Sequence, residues 1–238
     1  MRKYNNIGII FQKEFRSYFN SPVAYILIVA FLAIIGWFFV NNIFLINLAS
    51  LRSMFETIPY IYLLLIPALT MRLLADEQKS GTFELLATKP VHEIEIILGK
   101  FLAAWTLVLC TLVPTFLYFI TIASLGKVDF GEIIGGYIGL GLMSAVFVAV
   151  GLFSSAITNN QIVAFIIGFG LNFALYMFDK ILEYLPISAL SVFEYIGIDY
   201  HYASISRGVI DTRDLIYFAS VLIIIIYLTK LSLDRRKW

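Results

Sequence analysis

Apolar residues in this chain come in long runs rather than in alternation. They occupy about 23–44, 58–74, 97–123, 133–153, 162–178 and 215–231. Each run reaches the roughly 17 residues that a helix needs to cross the hydrocarbon core of a bilayer. In the last run the ten Leu, Ile, Val and Phe residues up to Leu228 contribute roughly −3 to −6 kcal/mol to insertion. Pro59 is expected to open the second span. Pro67 and Pro114 are expected to kink the second and third, with buried neighbours satisfying the freed carbonyls.

Before the first run, residues 5–20 repeat at helical spacing. Ile7, Ile10, Phe11, Phe15, Tyr18 and Phe19 fall on one side, and Gln12, Lys13, Arg16 and Ser17 on the other. A basic helix with an aromatic face suits the membrane surface. Glu14 lies inside the apolar stripe, where an unpaired carboxylate is costly. Two partners are open: a nearby lysine or lipid headgroup, or the loop between spans two and three through Arg72 or Lys79. Residues 20–22, Asn-Ser-Pro, end this helix and start the first span.

The largest polar interruption is the stretch 72–100. Phe83, Leu86 and Ala87 share one helical face, with Glu84 and Thr88 on the other. Gly81 and Pro90 bracket this short helix. Its apolar side is expected against the bundle, which leaves Glu84 open to a partner. Glu93 and Glu95 then fall in the first turns of the next helix, where the dipole favours anions.

The segment 179–214 is rich in acids and aromatics, including Tyr184, Phe193, Tyr195, Tyr200 and Tyr202. Short packed or re-entrant helices are expected at 181–185 and 190–196, with the aromatics forming interfacial belts. Gly131, Gly135 and Gly139 recur at every fourth position of the fourth span. Such a stripe admits a second helix, from the same bundle or from another subunit.

Composition turns this pattern into a class. The 238 residues are 61% hydrophobic and 14% charged, with mean hydropathy +0.90. Soluble domains are about 45–50% apolar and about 25% charged. The expected fold is therefore an all-α integral membrane protein: six transmembrane helices, an N-terminal interfacial helix, a short helix in loop 2–3 and packed outer helices before the sixth span. It forms a single domain over 1–238. A net charge of +1 argues against a nucleic-acid partner. Cys110 is the sole cysteine, lies in an apolar run and reads as a core residue. No cleavable signal peptide is expected, because the first apolar run is longer than the about 7–15 residues of such a segment.

Charge also orients the chain. Twelve of the seventeen Lys and Arg residues fall on the side shared by the two termini, loop 2–3 and loop 4–5. The other side holds five, outnumbered by nine acids. Both termini are therefore expected in the cytoplasm. Five spans would move the basic tail outside and spoil the bias.

The chain offers little chemistry of its own. Gly99-Lys100 lacks the upstream glycine of a phosphate-binding loop. His92, His201 and Cys110 make no metal cluster, and no nucleophile elbow is present. The span interiors carry no clear Asp, Glu, Lys or Arg, which weighs against an ion-coupled carrier. Asn172, Thr106, Thr111, Thr115 and Thr121 are the buried polar candidates, either bonded within the bundle or lining a path.

The polar stretch resembles that of type-2 ABC transporter permease subunits. The residues that carry the likeness are Glu77, Gly81, Thr82, Glu84, Leu86, Pro90 and Val91, followed by Gly99-Lys100 at the opening of the third span. Lys13, Glu14, Phe15, Arg16, Phe19, Ser21 and Pro22 are similar to that family's opening helix. The stretch 204–214 is similar to a branch that includes bacterial gliding-motility and copper-processing permeases. The resemblance implies an exporter's membrane subunit in the bacterial inner membrane. It implies a second permease subunit, identical or different, and two copies of a separate ATPase. ATP and Mg would bind that ATPase, with no cofactor on this chain and no enzyme activity of its own. Arg72, Glu77, Gly81, Thr82, Phe83, Glu84, Leu86 and Pro90 would form the ATPase contact, with Glu14 and Arg16 on the interfacial helix. A non-transporting membrane scaffold of the same fold, and an ion-coupled carrier, are the competing readings.

Overall fold

A computed structural model describes residues 6–46, 50–81, 92–126, 128–182 and 197–235. Among them every regular element is helical. In chain order these are α1 (Asn6–Asn20), α2 (Pro22–Ile46), α3 (Arg52–Thr70), α4 (Ala75–Lys79), α5 (Glu93–Leu112), α6 (Phe116–Leu125), α7 (Phe130–Ala156), α8 (Gln161–Leu182), α9 (Ile198–Ser206) and α10 (Thr212–Asp234). Six segments are long and apolar enough to cross a membrane: α2, α3 with α4, α5 with α6, α7, α8 and α10. The expected helices at 82–90, 181–185 and 190–196 lie wholly or largely outside the described residues.

Burial ranks these helices. The apolar window of α7 is 78% buried, against 22% for α8 and 17% for α10. α7 is thus the central post, and its small residues explain why. A Cβ on Gly135 would fall on the carbonyl oxygen of Ile205, and one on Gly139 would lie 3.0 Å from the Tyr202 ring. Gly135 and Gly139 of the stripe therefore receive α9 of the same chain, which makes these two positions packing within the bundle. The peripheral helices stay apolar outside: Trp37, Ile166, Ile223 and Ile224 are all exposed. A helix that is oily all round is matched to hydrocarbon rather than water.

The prolines behave differently from one another. α3 begins at Arg52, six residues before the expected start of span two, so Pro59 lies inside the helix rather than at its start. Its ring removes the amide that would bond the Phe55 carbonyl. The Tyr202 hydroxyl donates to that oxygen at 2.7 Å instead. Tyr202, expected in an interfacial belt, is consequently buried in the core. Tyr202→Phe should cost about 1–3 kcal/mol, because it orphans a buried carbonyl. Adding Pro59→Ala should recover most of that loss by restoring the amide. Thermal unfolding of the two single variants and the double would reveal the coupling, and simple additivity would refute it.

Pro114 interrupts the third span with a 3-10 turn over Val113–Thr115. The Thr111 and Thr115 hydroxyls donate to the carbonyls of Val108 and Leu112, each at 2.6 Å. Thr121 donates to Leu117 at 2.8 Å, and Asn172 donates to Phe147 on α7 at 3.3 Å. These four polar residues make bonds within the bundle. Asp129 and Asp211 cap α7 and α10 by accepting from Gly131 at 2.8 Å and Arg213 at 3.0 Å.

Candidate functional site

The strongest concentration of charge and polar bonding lies at the α1 end of the bundle, around the short helix α4. After α3 the chain makes a turn at 71–74 and re-enters helix at Ala75. One hydroxyl from α7 serves both helix ends. Ser155 Oγ accepts from the amides of Leu74 and Ala75, each at 3.0 Å, and donates to the Met71 carbonyl at 3.0 Å. It thereby satisfies backbone groups that a helix break leaves without partners.

α4 itself is tied on two sides. Towards α7 and α8, Gln78 Nε2 donates to the Ala156 carbonyl at 3.0 Å, and Gln161 donates to Asp76. Towards α1 and α5, Glu77 accepts from Lys100 Nζ at 2.8 Å. The same ammonium donates to Glu14 at 3.2 Å. The Lys100 side chain is 3% exposed, whereas those of Glu14 and Glu77 are 16% and 17% exposed. A buried ammonium is thus held by two carboxylates from two different elements. Lys13, exposed on α1, stands 3.7 Å from Glu14.

α1 reaches this cluster because α5 has no side chain at Gly99. A Cβ there would lie 2.7 Å from Ile10 Cγ2 and 3.2 Å from the Ile7 carbonyl oxygen. A second tie fixes the start of both helices. Asn6 Nδ2 donates to Glu95 Oε2 at 3.0 Å, and that oxygen also accepts the His92 amide at 3.0 Å. Glu95 therefore caps α5, as its place in the first turn predicts. Burial, together with the Glu14 carboxylate, pushes the Tyr18 phenol well above its ordinary range.

The expected site residues divide into four groups. Glu14 and Glu77 meet through Lys100. Arg72 and Arg16 are exposed and make no polar contact with the described residues. Arg72 lines a groove of about 580 Å³ with Lys13, Tyr18, Leu27 and Leu69. Gly81, with φ +68°, terminates α4 in a backbone conformation that favours glycine. Thr82, Phe83, Glu84, Leu86 and Pro90 lie outside the described residues.

Of the partners open to Glu14, the structure gives nearby lysines, Lys100 at 3.2 Å and Lys13 at 3.7 Å, rather than Arg72 or Lys79. One expectation changes here. Lys100 is a buried charge inside the bundle, where the apolar runs suggested none. Both were readable as misplaced charges: Glu14 sits in the apolar stripe of α1, and Lys100 shares its face of α5 with Ile96, Ala103 and Leu107, all buried. Two opposite charges on two apolar faces are best satisfied by each other. Ser155 and Gln161 carried only the signal of polar groups beside helix ends.

Six apolar spanning segments, five of them around α7 as the post, with polar bonding gathered at the bundle ends, define a multi-pass helical membrane protein. The chain matches the ABC-2 family transporter protein family over residues 9–229, and it belongs to that family. It is therefore a membrane component of an ABC transporter, a subunit that partners with an ABC ATPase. No curated protein matches it.

Proposed function

We propose that this chain is the membrane subunit of an ATP-driven exporter, and that the α4 junction passes movement from the ATPase to the spans. The observation that carries this reading is the placement of α4. It leads directly into residues 82–91 and is bonded to α7 and α8 on one side and to α1 and α5 on the other. A push on 82–91 would reach those four helices through Ser155, Gln161 and Lys100 together. In this reading 82–90 is the coupling helix, with Glu84 towards the ATPase and Phe83 and Leu86 towards the bundle. Arg72, Thr82 and Pro90 complete the contact, and Arg16 remains on the face of α1 turned away from the bundle.

The membrane is the bacterial inner membrane and the α1 end is cytoplasmic. The charge bias supports that orientation: Lys13, Arg16, Arg72, Lys79 and Lys100 all cluster at this end. Two such permeases, identical or paired, enclose the path, with two ATPase copies beneath them. ATP and Mg belong to the ATPase.

The test is reconstitution with the partner ATPase in liposomes. Glu84→Arg should lower coupled ATPase activity severalfold while membrane insertion and thermal stability stay unchanged. A surface charge substitution costs within about 0.5 kcal/mol, so misfolding does not confuse the readout. Unchanged activity would remove Glu84 from the contact.

A further inference from the structure

At the end opposite α1 the bundle opens into a cavity of about 830 Å³ between α3, α7, α8 and α9. Lys180, in the last turn of α8, holds its ammonium against one wall. Nζ donates to Tyr60 Oη at 2.7 Å and lies 3.5 Å from Asp199 Oδ2. It also sits over two aromatic faces, 4.9 Å from the Tyr60 centroid and 4.7 Å from that of Tyr176. Those rings meet edge to face with centroids 5.3 Å apart. Two ring faces and a carboxylate around one cation are the elements of an ammonium-recognition box.

The occupant of this box is tethered but not locked in. Lys180 is 36% exposed and reaches the box on a flexible four-carbon stem. Burial pushes the Asp199 carboxyl above its ordinary range even with Lys180 beside it, so its ionised form gains from any cation placed there. The cavity wall also carries Glu56, Asp129 and Glu132. Once Lys180 swings out, four lining carboxylates face only Arg52 and Arg207 among the described residues, and Arg52 is already paired with Glu56 at 3.0 Å. The emptied wall is thus aromatic and anionic.

We propose that this cavity binds molecules bearing a primary alkylammonium group, and that Lys180 is its built-in occupant, displaced by the incoming cation. The site does not rest on the exporter reading, because binding there requires neither an ATPase nor nucleotide. The probe is n-butylammonium, which reproduces the lysine side chain. n-Butanol is the neutral control.

Binding is measured on the full chain in lipid nanodiscs, without ATPase, by saturation-transfer NMR. Lys180→Ala should tighten n-butylammonium at least tenfold and leave n-butanol within twofold. Adding Asp199→Asn should remove the gain. Lys180→Gln, which keeps a donor for Tyr60, should show the same selective gain and replaces the alanine variant if that one fails to fold. No gain in a folded Lys180 variant would make the contact a latch between helices and overturn the proposal. An equal gain for n-butanol, or a gain that survives Asp199→Asn, would overturn it as well.

Discussion

Lys100→Met is expected to destabilise the chain by roughly 3–5 kcal/mol, the range found when one partner of a buried ion pair is removed. The reason is geometric. Glu14 and Glu77 converge on one ammonium from two elements. Without it, two largely buried carboxylates lose the buried ammonium that they share. The expected drop in Tm is on the order of 10 °C. The triple variant Glu14→Gln, Lys100→Met, Glu77→Gln should recover most of the loss, because replacing a whole buried charge set by neutral groups is often close to neutral. ATPase coupling should fall in both variants if the triad carries movement between α4 and the α1–α5 pair. A triple variant with normal stability and normal coupling would leave the cluster a purely structural role. A single variant with unchanged Tm would contradict the geometry itself.

The second large effect is expected at Gly99. Leucine there has no room, because even a Cβ lies within 2.8 Å of two Ile10 carbons. Overpacking of this kind typically costs about 1–3 kcal/mol. Here α1 has an easier response than compression: it can lift off α5. Lifting would draw Glu14 away from Lys100 and Asn6 away from Glu95, so one substitution would break two polar ties. Trypsin cleavage at Lys13 and Arg16 should accelerate at least tenfold in Gly99→Leu, and Gly99→Ala should show a smaller increase. If protection of α1 is unchanged in the leucine variant, α5 does not need a glycine to hold α1.

Both predictions arise from residues the sequence shows plainly but does not connect. Glu14 is conspicuous in the stripe of α1, and Gly99-Lys100 is conspicuous at the opening of the third span. What the one-dimensional pattern lacks is distance. Lys100 and Glu14 are 86 positions apart, and no local period relates them. The same holds for Ser155, which meets Leu74 across 81 positions. Proline shows the limit in another way. A rule based on the missing amide places Pro59 at a helix start. The observed helix runs through it, because a tyrosine 147 positions from Phe55 takes the place of that amide.

The hydrophobic pattern alone determined the class: six apolar runs of spanning length, an amphipathic helix before them, one polar stretch after the second span, and a charge bias between the two ends. These are local properties, set by side-chain transfer energies and by the 3.6-residue period. Only the tertiary structure decided that Lys100 lies inside, that Gly135 and Gly139 receive α9, that Tyr202 belongs to the core, and that Lys180 fills an aromatic box. Each of those depends on which distant group occupies the neighbouring space. A buried polar atom is best stabilised where such a partner stands within about 3 Å.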